Sequence, residues 1–198
     1  NIRLASSDTL GFLVLPQLIE KFKRSHPDII VELIISPQIY DLSKREADIA
    51  LRVTKSPPEH LFGRNLGSIE VAVTGAKSVI NHEKSLNDLL KEENWVGGAE
   101  YLSNQKNILW INKRVRPEQI SARANQMIAV AKLVQTGIGY GVIPVYLSKI
   151  LEDLQVIYPL KELDTNLWIL THQDLKSNAK IRVLMDFLTK EIKQILEI

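Results

Sequence analysis

The sequence contains no cysteine, which excludes disulfides and thiolate metal sites and fits the reducing cytoplasm expected as its location. An excess of one charge is also missing. Its 25 Lys and Arg against 23 Asp and Glu leave a net charge of +2, without the electrostatic footprint of a nucleic-acid binder. No apolar run approaches the roughly 18 residues of a membrane span, and no secretory signal is present. Catalytic signatures are lacking too. There is no G-x-S-x-G, phosphate-binding loop or zinc-protease motif. His26, His60, His82 and His172 are scattered without metal-ligand spacing. Asp41 and Asp48 can act as acids or bases in principle, but nothing pairs with them in sequence. No enzyme activity, metal or cofactor is expected.

What remains is an ordinary globular composition, 45% hydrophobic and 24% charged over 198 residues, enough for one large domain or two small lobes. The chain starts at Asn1, at the edge of a predicted strand, as a domain cut from a longer protein or a processed mature protein would. Ile2 to Ala5 reads as a buried strand. Leu15, Leu18, Ile19 and Phe22 have helical spacing, with Pro16 in the first turn or at a kink. Ile29 to Ile35 is a nearly continuous β-branched run, the pattern of a strand buried on both faces of a parallel sheet. A short helix is predicted over Tyr40 to Arg45 and a strand over Ala47 to Val53, so the opening runs β-α-β-α-β. Ile69 to Val73 is read as the fourth strand.

After Gly75 the pattern restarts. A short helix is expected over Leu86 to Leu90, and strands at Trp95-Val96, Gln119 to Ala124, Tyr140 to Ile143, Val156-Ile157 and Asn166 to Thr171. Helices are expected over Met127 to Val134, after Pro144, and from an Asn178 cap to the C-terminus. Residues 98–118 resist assignment. The fold class is therefore α/β, with two lobes joined by two crossings. Lobe I is 1–73 plus 170–198 and lobe II is 74–169, with the second crossing near Trp168.

Two strand-to-helix junctions carry the chemistry. Ser6-Ser7-Asp8-Thr9 stands at the carboxyl end of the first strand, where α/β proteins open into ligand crevices and a helix offers unpaired N–H groups. These residues fit either a small-anion site or a helix cap with solvent-exposed serines. Asn125, with Gln126 beside it, follows the strand ending at Ala124 and is open to the same two readings, helix cap or pocket amide. Alternation puts Ser121, Arg123 and Asn125 on one strand face, making Arg123 a second candidate anion partner. Gly137, Gly139 and Gly141 are not a dinucleotide fingerprint, because the order is helix, glycines, strand. Gly137 instead suits a left-handed helix end. Lys113, Arg114 and Arg116 read as a solvated loop.

Ile2-Arg3-Leu4-Ala5-Ser6-Ser7, Leu15-Pro16 with Phe22 and Pro27, Ala47 to Arg52, Pro57-Pro58, Leu66-Gly67, the glycine turn through Pro144 and Leu167-Trp168 form an ordered set. In it the chain resembles the effector-binding domain of LysR-type transcriptional regulators. The resemblance implies two Rossmann-like lobes in a fold like the type 2 periplasmic binding proteins, with a small-molecule effector, carboxylate or other anion, held between the lobes. The pocket positions it carries over are Ser7 and Thr9, Asn125, and Val53 with Thr54. Val53 brings no polar group. Ser36-Pro37-Gln38 stands where many relatives have glycine, placing Gln38 in an altered pocket wall. DNA binding is expected only through a winged helix-turn-helix domain absent from this chain, and a homodimer or homotetramer is expected. The alternative is a free-standing solute-binding protein of a transport system.

Overall fold

The computed structural model describes residues 1–36, 42 and 46–198. In chain order its elements are β1 (Ile2–Ser6), α1 (Asp8–Leu13), α2 (Leu15–Ser25), β2 (Val31–Ile35), β3 (Ile49–Val53), β4 (Leu61–Ile69), β5 (Val71–Ala76), α3 (Leu86–Glu92), β6 (Trp95–Gly98), α4 (Lys106–Asn112), β7 (Ile120–Ala124), α5 (Met127–Gln135), β8 (Gly141–Pro144), α6 (Tyr146–Ile150), β9 (Leu154–Pro159), β10 (Thr165–His172) and α7 (Ala179–Leu196). Apart from Leu42, the predicted helix over Tyr40 to Arg45, together with Gln38 and Asp41, lies outside the described residues.

The chain divides into two compact units, residues 1–69 with 165–198 and residues 70–164. The expected boundaries after 73 and 169 therefore move to 69 and 164. The reason is local. The single strand expected over Ile69 to Val73 is two strands, β4 ending at Ile69 and β5 starting at Val71, with Glu70 between them. The strand holding Trp168 belongs wholly to the first unit, so the second crossing is at Asp164–Thr165.

In the first unit, the described strands form a sheet of order β2-β1-β3-β10-β4. β1 is parallel to β2 and β3, and β10 runs antiparallel between β3 and β4. Leu4, Ile49, Leu51, Leu167 and Ile169 are all buried. Burying each of these side chains contributes about 1.5–3 kcal/mol. Leu15, Leu18 and Phe22 of α2 are buried at the expected spacing, and Pro16 sits in the first turn, where its missing N–H has no partner to lose. The Phe22 and Phe187 rings lie 5.2 Å apart and Lys21 Nζ is 2.6 Å from Glu191 Oε2, so α2 and α7 are joined by packing and by charge. As expected, Asn178 caps α7, its Oδ1 accepting from the N–H groups of Lys180 and Ile181 at 3.0 and 3.3 Å. Ile181, Leu184, Met185, Leu188 and Ile192 form the buried stripe.

The β2 segment departs from expectation. It is an edge strand in this sheet, it starts only at Val31, and the preceding Ile30 is 56% exposed. β-branched residues favour extended backbone at an edge as well as in a sheet centre, so composition alone mimicked two-sided burial. Asp48 proves structural. Its Oδ2 accepts from the Arg3 N–H at 2.7 Å and its carbonyl accepts from Thr171 Oγ1 at 2.7 Å, pinning β1 and β10 beside β3.

In the second unit, β5 pairs antiparallel with β8 and β9, and β6 pairs parallel with β7. A parallel bridge between Trp95 and Tyr140 links the two sets. Trp95 is fully buried, its Nε1 donates to the Leu89 carbonyl at 3.2 Å, and its ring lies 5.9 Å from Tyr140 and 6.3 Å from Trp110. Gly137 takes φ +82°, the left-handed helix end foreseen from sequence. Pro144 ends β8 rather than opening a helix, and α6 begins at Tyr146. The unassigned stretch after residue 98 folds as short pieces, two 3-10 turns (Glu100–Asn104 and Pro117–Gln119) flanking α4. None of them is long enough to display a period.

A capping box starts α3. Ser85 Oγ accepts from the Asp88 N–H at 3.2 Å, and Asp88 Oδ2 accepts from the Ser85 N–H at 3.0 Å. Replacing Ser85 with Ala should cost about 1 kcal/mol, read as a lower urea midpoint. Hydrogen bonds from the Ser85 side chain and backbone hold the Asp88 carboxyl below the usual carboxylate range. A depressed folded-state pKa adds stability above the unfolded value of about 3.9 and loses it as pH falls through the folded value. The penalty of Asp88→Asn should therefore be present at neutral pH and fade under stronger acid.

Candidate functional site

Each unit presents polar side chains at the carboxyl end of a parallel strand. In the first unit β1 runs out at Ser6 and Ser7, and α1 begins at once. Gly11 lets α1 lie on the end of β2, since a Cβ there would stand 2.6 Å from Ile35 Cγ1. Ser7 is the N-cap residue by backbone position, yet its side chain makes no capping bond. Its Oγ is instead 3.4 Å from Thr9 Oγ1. Thr9 is buried, and Ser6 is 5% exposed. Ser6 Oγ has no hydrogen-bond partner among the described residues, which leaves about 1–3 kcal/mol of uncompensated desolvation. The Thr54 hydroxyl is committed to a local turn, donating to the Ser56 carbonyl at 3.2 Å and lying 3.3 Å from the Ser56 N–H. Val53 is exposed at the end of β3.

In the second unit β6 and β7 end side by side, with Gly97 opposite Arg123 and Gly98 opposite Ala124. The glycines make room. A Cβ on Gly97 would stand 3.1 Å from Arg123 Nη1, and one on Gly98 would stand 2.8 Å from Ile108. Arg123 Nη1 lies over β6 and donates to the Gly98 carbonyl at 3.4 Å. Of the two readings of Asn125, the helix cap is not the one adopted. The capping position falls to Gln126, without a side-chain bond, and Asn125 turns away from the helix so that its Nδ2 donates to Glu100 Oε2 at 2.9 Å. Asn107 holds this corner from behind, its Nδ2 donating to the Val142 carbonyl at 2.7 Å.

Glu100 is the residue that sequence reasoning missed. It lies in the stretch without a period, and its partner is 25 residues away. Its backbone is left-handed at φ +49°, a conformation costing a non-glycine residue roughly 1–2 kcal/mol. The Ala99 N–H bonded to the Ala124 carbonyl at 2.8 Å holds the chain just before it. Thus Ser6, Ser7 and Thr9 come together in one unit, and Arg123, Asn125 and Gln126 in the other. Thr54 is turned to its own loop. Among the described residues, no group of three or more His, Asp or Glu could hold a metal ion, and no helix is long and apolar enough to cross a membrane.

Two α/β units strung on two chain crossings, each with a polar parallel-strand end, define the type 2 periplasmic-binding-protein-like fold. The LysR substrate binding domain model matches residues 1–193, and the chain belongs to that family. It is 24% identical over 204 aligned residues to the HTH-type transcriptional activator AaeR of Escherichia coli K12, covering 95% of this chain and 63% of AaeR. The AmpR effector-binding domain of Citrobacter freundii superposes with a TM-score of 0.75 at 17% identity, covering 98% of each chain. The effector-binding domain of QuiR, solved in complex with shikimate, gives 0.68 at 18% identity, covering 98% of this chain and 97% of QuiR's. The chain thus spans just under two thirds of AaeR's length.

Proposed function

We propose that this chain is the effector-sensing part of a LysR-type transcription regulator for a small molecule, with Ser7 and Thr9 at the end of β1 and Asn125 at the end of β7 as the candidate contacts of the respective units. The observation that carries the reading is the pairing of a family match over residues 1–193 with one polar strand end in each unit. Ser6 and Arg123 support these two ends, and Gln38, Thr54 and Gln126 complete the candidate set. A shikimate-bound relative makes a small polar organic acid a reasonable first class to screen.

In the same reading, a helix-turn-helix domain elsewhere in the full-length protein contacts DNA, as the helix-turn-helix designation of AaeR suggests, and assembly into a homodimer or homotetramer transmits the signal. The protein acts in the cytoplasm. The effector works by binding one arrangement of the protein better than another, since only such a difference shifts an equilibrium. A free-standing solute-binding protein would require a secretory signal upstream in the gene, whereas the regulator requires a helix-turn-helix there.

A thermal-shift screen of metabolites identifies the ligand. At one hundred times its Kd the native state gains about 2.7 kcal/mol. Calorimetric titration of that ligand should then show Ser7→Ala and Asn125→Ala each weakening affinity about tenfold, the upper range for one hydrogen bond. Unchanged affinity in both variants overturns the pocket assignment.

A further inference from the structure

We infer that Glu100 sets the charge preference of the β7 end, rejecting carboxylates there and selecting effector groups that donate hydrogen bonds, such as hydroxyl, amide or ammonium. The inference rests on the proposed effector site and sharpens it. A free Asn125 amide would offer two donors and one acceptor, and would suit a carboxylate. In this structure one of its N–H groups is given to Glu100 Oε2 at 2.9 Å. The pair then shows a ligand mostly acceptor capacity: the carbonyl oxygen of Asn125, the second carboxylate oxygen and the remaining lone pairs of Glu100. Glu100 also brings a full negative charge to the amide that an anion would need.

Arg123, also on β7, has one guanidinium N–H already engaged. Arg123 Nη1 is directed to the Gly98 carbonyl at 3.4 Å, and a Cβ on Gly97 would crowd that guanidinium at 3.1 Å. The placement of Glu100 is specific, because its backbone sits at φ +49° directly after the Ala99–Ala124 bond that joins the ends of β6 and β7. Strained backbone of this kind persists where the surrounding structure holds it and gathers at ligand-contacting positions. The effector's own carboxylate, if it has one, then belongs elsewhere than at Asn125.

The test uses benzoate and benzamide, matched in shape and differing in charge, with the side-chain amide resonance of Asn125 followed by NMR in the whole chain. Glu100→Gln keeps an acceptor for Asn125, removes the charge and turns the second acceptor oxygen into an N–H donor, so the charge contribution is read from the salt dependence of the change. In the wild type benzamide should shift the Asn125 resonance at lower concentration than benzoate does. In Glu100→Gln benzoate should bind at least about fourfold more tightly than in the wild type, the factor for one unit charge at about 5 Å in water. That gain should shrink as salt rises and vanish in Glu100→Gln combined with Asn125→Ala. Equal benzoate binding by wild type and Glu100→Gln, or no benzoate binding by either, overturns the inference. Failure of the effector site itself is read separately, as unchanged affinity of the screened metabolite for Ser7→Ala and Asn125→Ala.

Discussion

Trp95→Ala should destabilise the second unit by about 3–5 kcal/mol, the range for truncating a large buried aromatic. Trp95 is fully buried and stands where three elements meet. Its indole N–H reaches back to the Leu89 carbonyl at 3.2 Å, its backbone bridges to Tyr140, and its ring touches Tyr140 and Trp110. Alanine removes the packing and leaves the Leu89 carbonyl without that donor. Against a domain stability of about 5–15 kcal/mol, this is a large fraction. Hydrogen exchange measures it by region: amides of β6, β7 and α5 should lose protection about a hundredfold to a few thousandfold, while those of β1, β3 and α7 keep theirs. Loss of equal size in both units would show that the two unfold as one. Trp95→Phe, which keeps an aromatic ring and loses the indole N–H, should cost less, about 1–2 kcal/mol.

Gly63→Ala should cost the first unit about 3 kcal/mol, at the upper end for overpacking. A Cβ at position 63 would lie 2.3 Å from the Ile169 carbonyl oxygen and 2.5 Å from Leu170 Cδ2. The first of these is backbone, so no rotamer change relieves it. β4 can accommodate the methyl group only by separating from β10, where Gly63 stands opposite Leu170. The urea midpoint should fall, and amides from Leu61 to Asn65 should exchange faster than the rest of the sheet. Ser68→Ala on the same strand, which removes only an exposed hydroxyl donating to the Thr165 carbonyl at 3.3 Å, should stay within about 0.5 kcal/mol of wild type.

These two positions also mark how far the sequence can be read. Helices and buried strands carry local periods, and so α2, α5 and α7 were expected close to where they stand. Gly137 was legible because a left-handed helix end is a local need. β4 was missed, since Leu61–Ile69 holds two glycines, an arginine and an asparagine and gains its extended form by pairing with β10, about a hundred residues later. The β2 run was misread for the opposite reason: its composition is that of a central strand while its place is at the edge. The strand ends at Ser7 and Asn125 were legible because strand-to-helix junctions show in sequence. Glu100 was not, because only the fold brings it to Asn125.

The pairing of β10 between β3 and β4 bears on how the protein is made. The second unit is an insertion in the first, so a ribosome delivers β4 long before its neighbour. At roughly 5–20 residues per second, some 5–20 s pass between synthesis of β4 and arrival of β10. The whole second unit emerges in that interval and is complete before the first sheet can close. Biogenesis is therefore ordered by topology. The inserted unit folds first, while the nascent β4 waits without its one described sheet partner, and the last thirty or so residues both finish the sheet and lay α7 on α2.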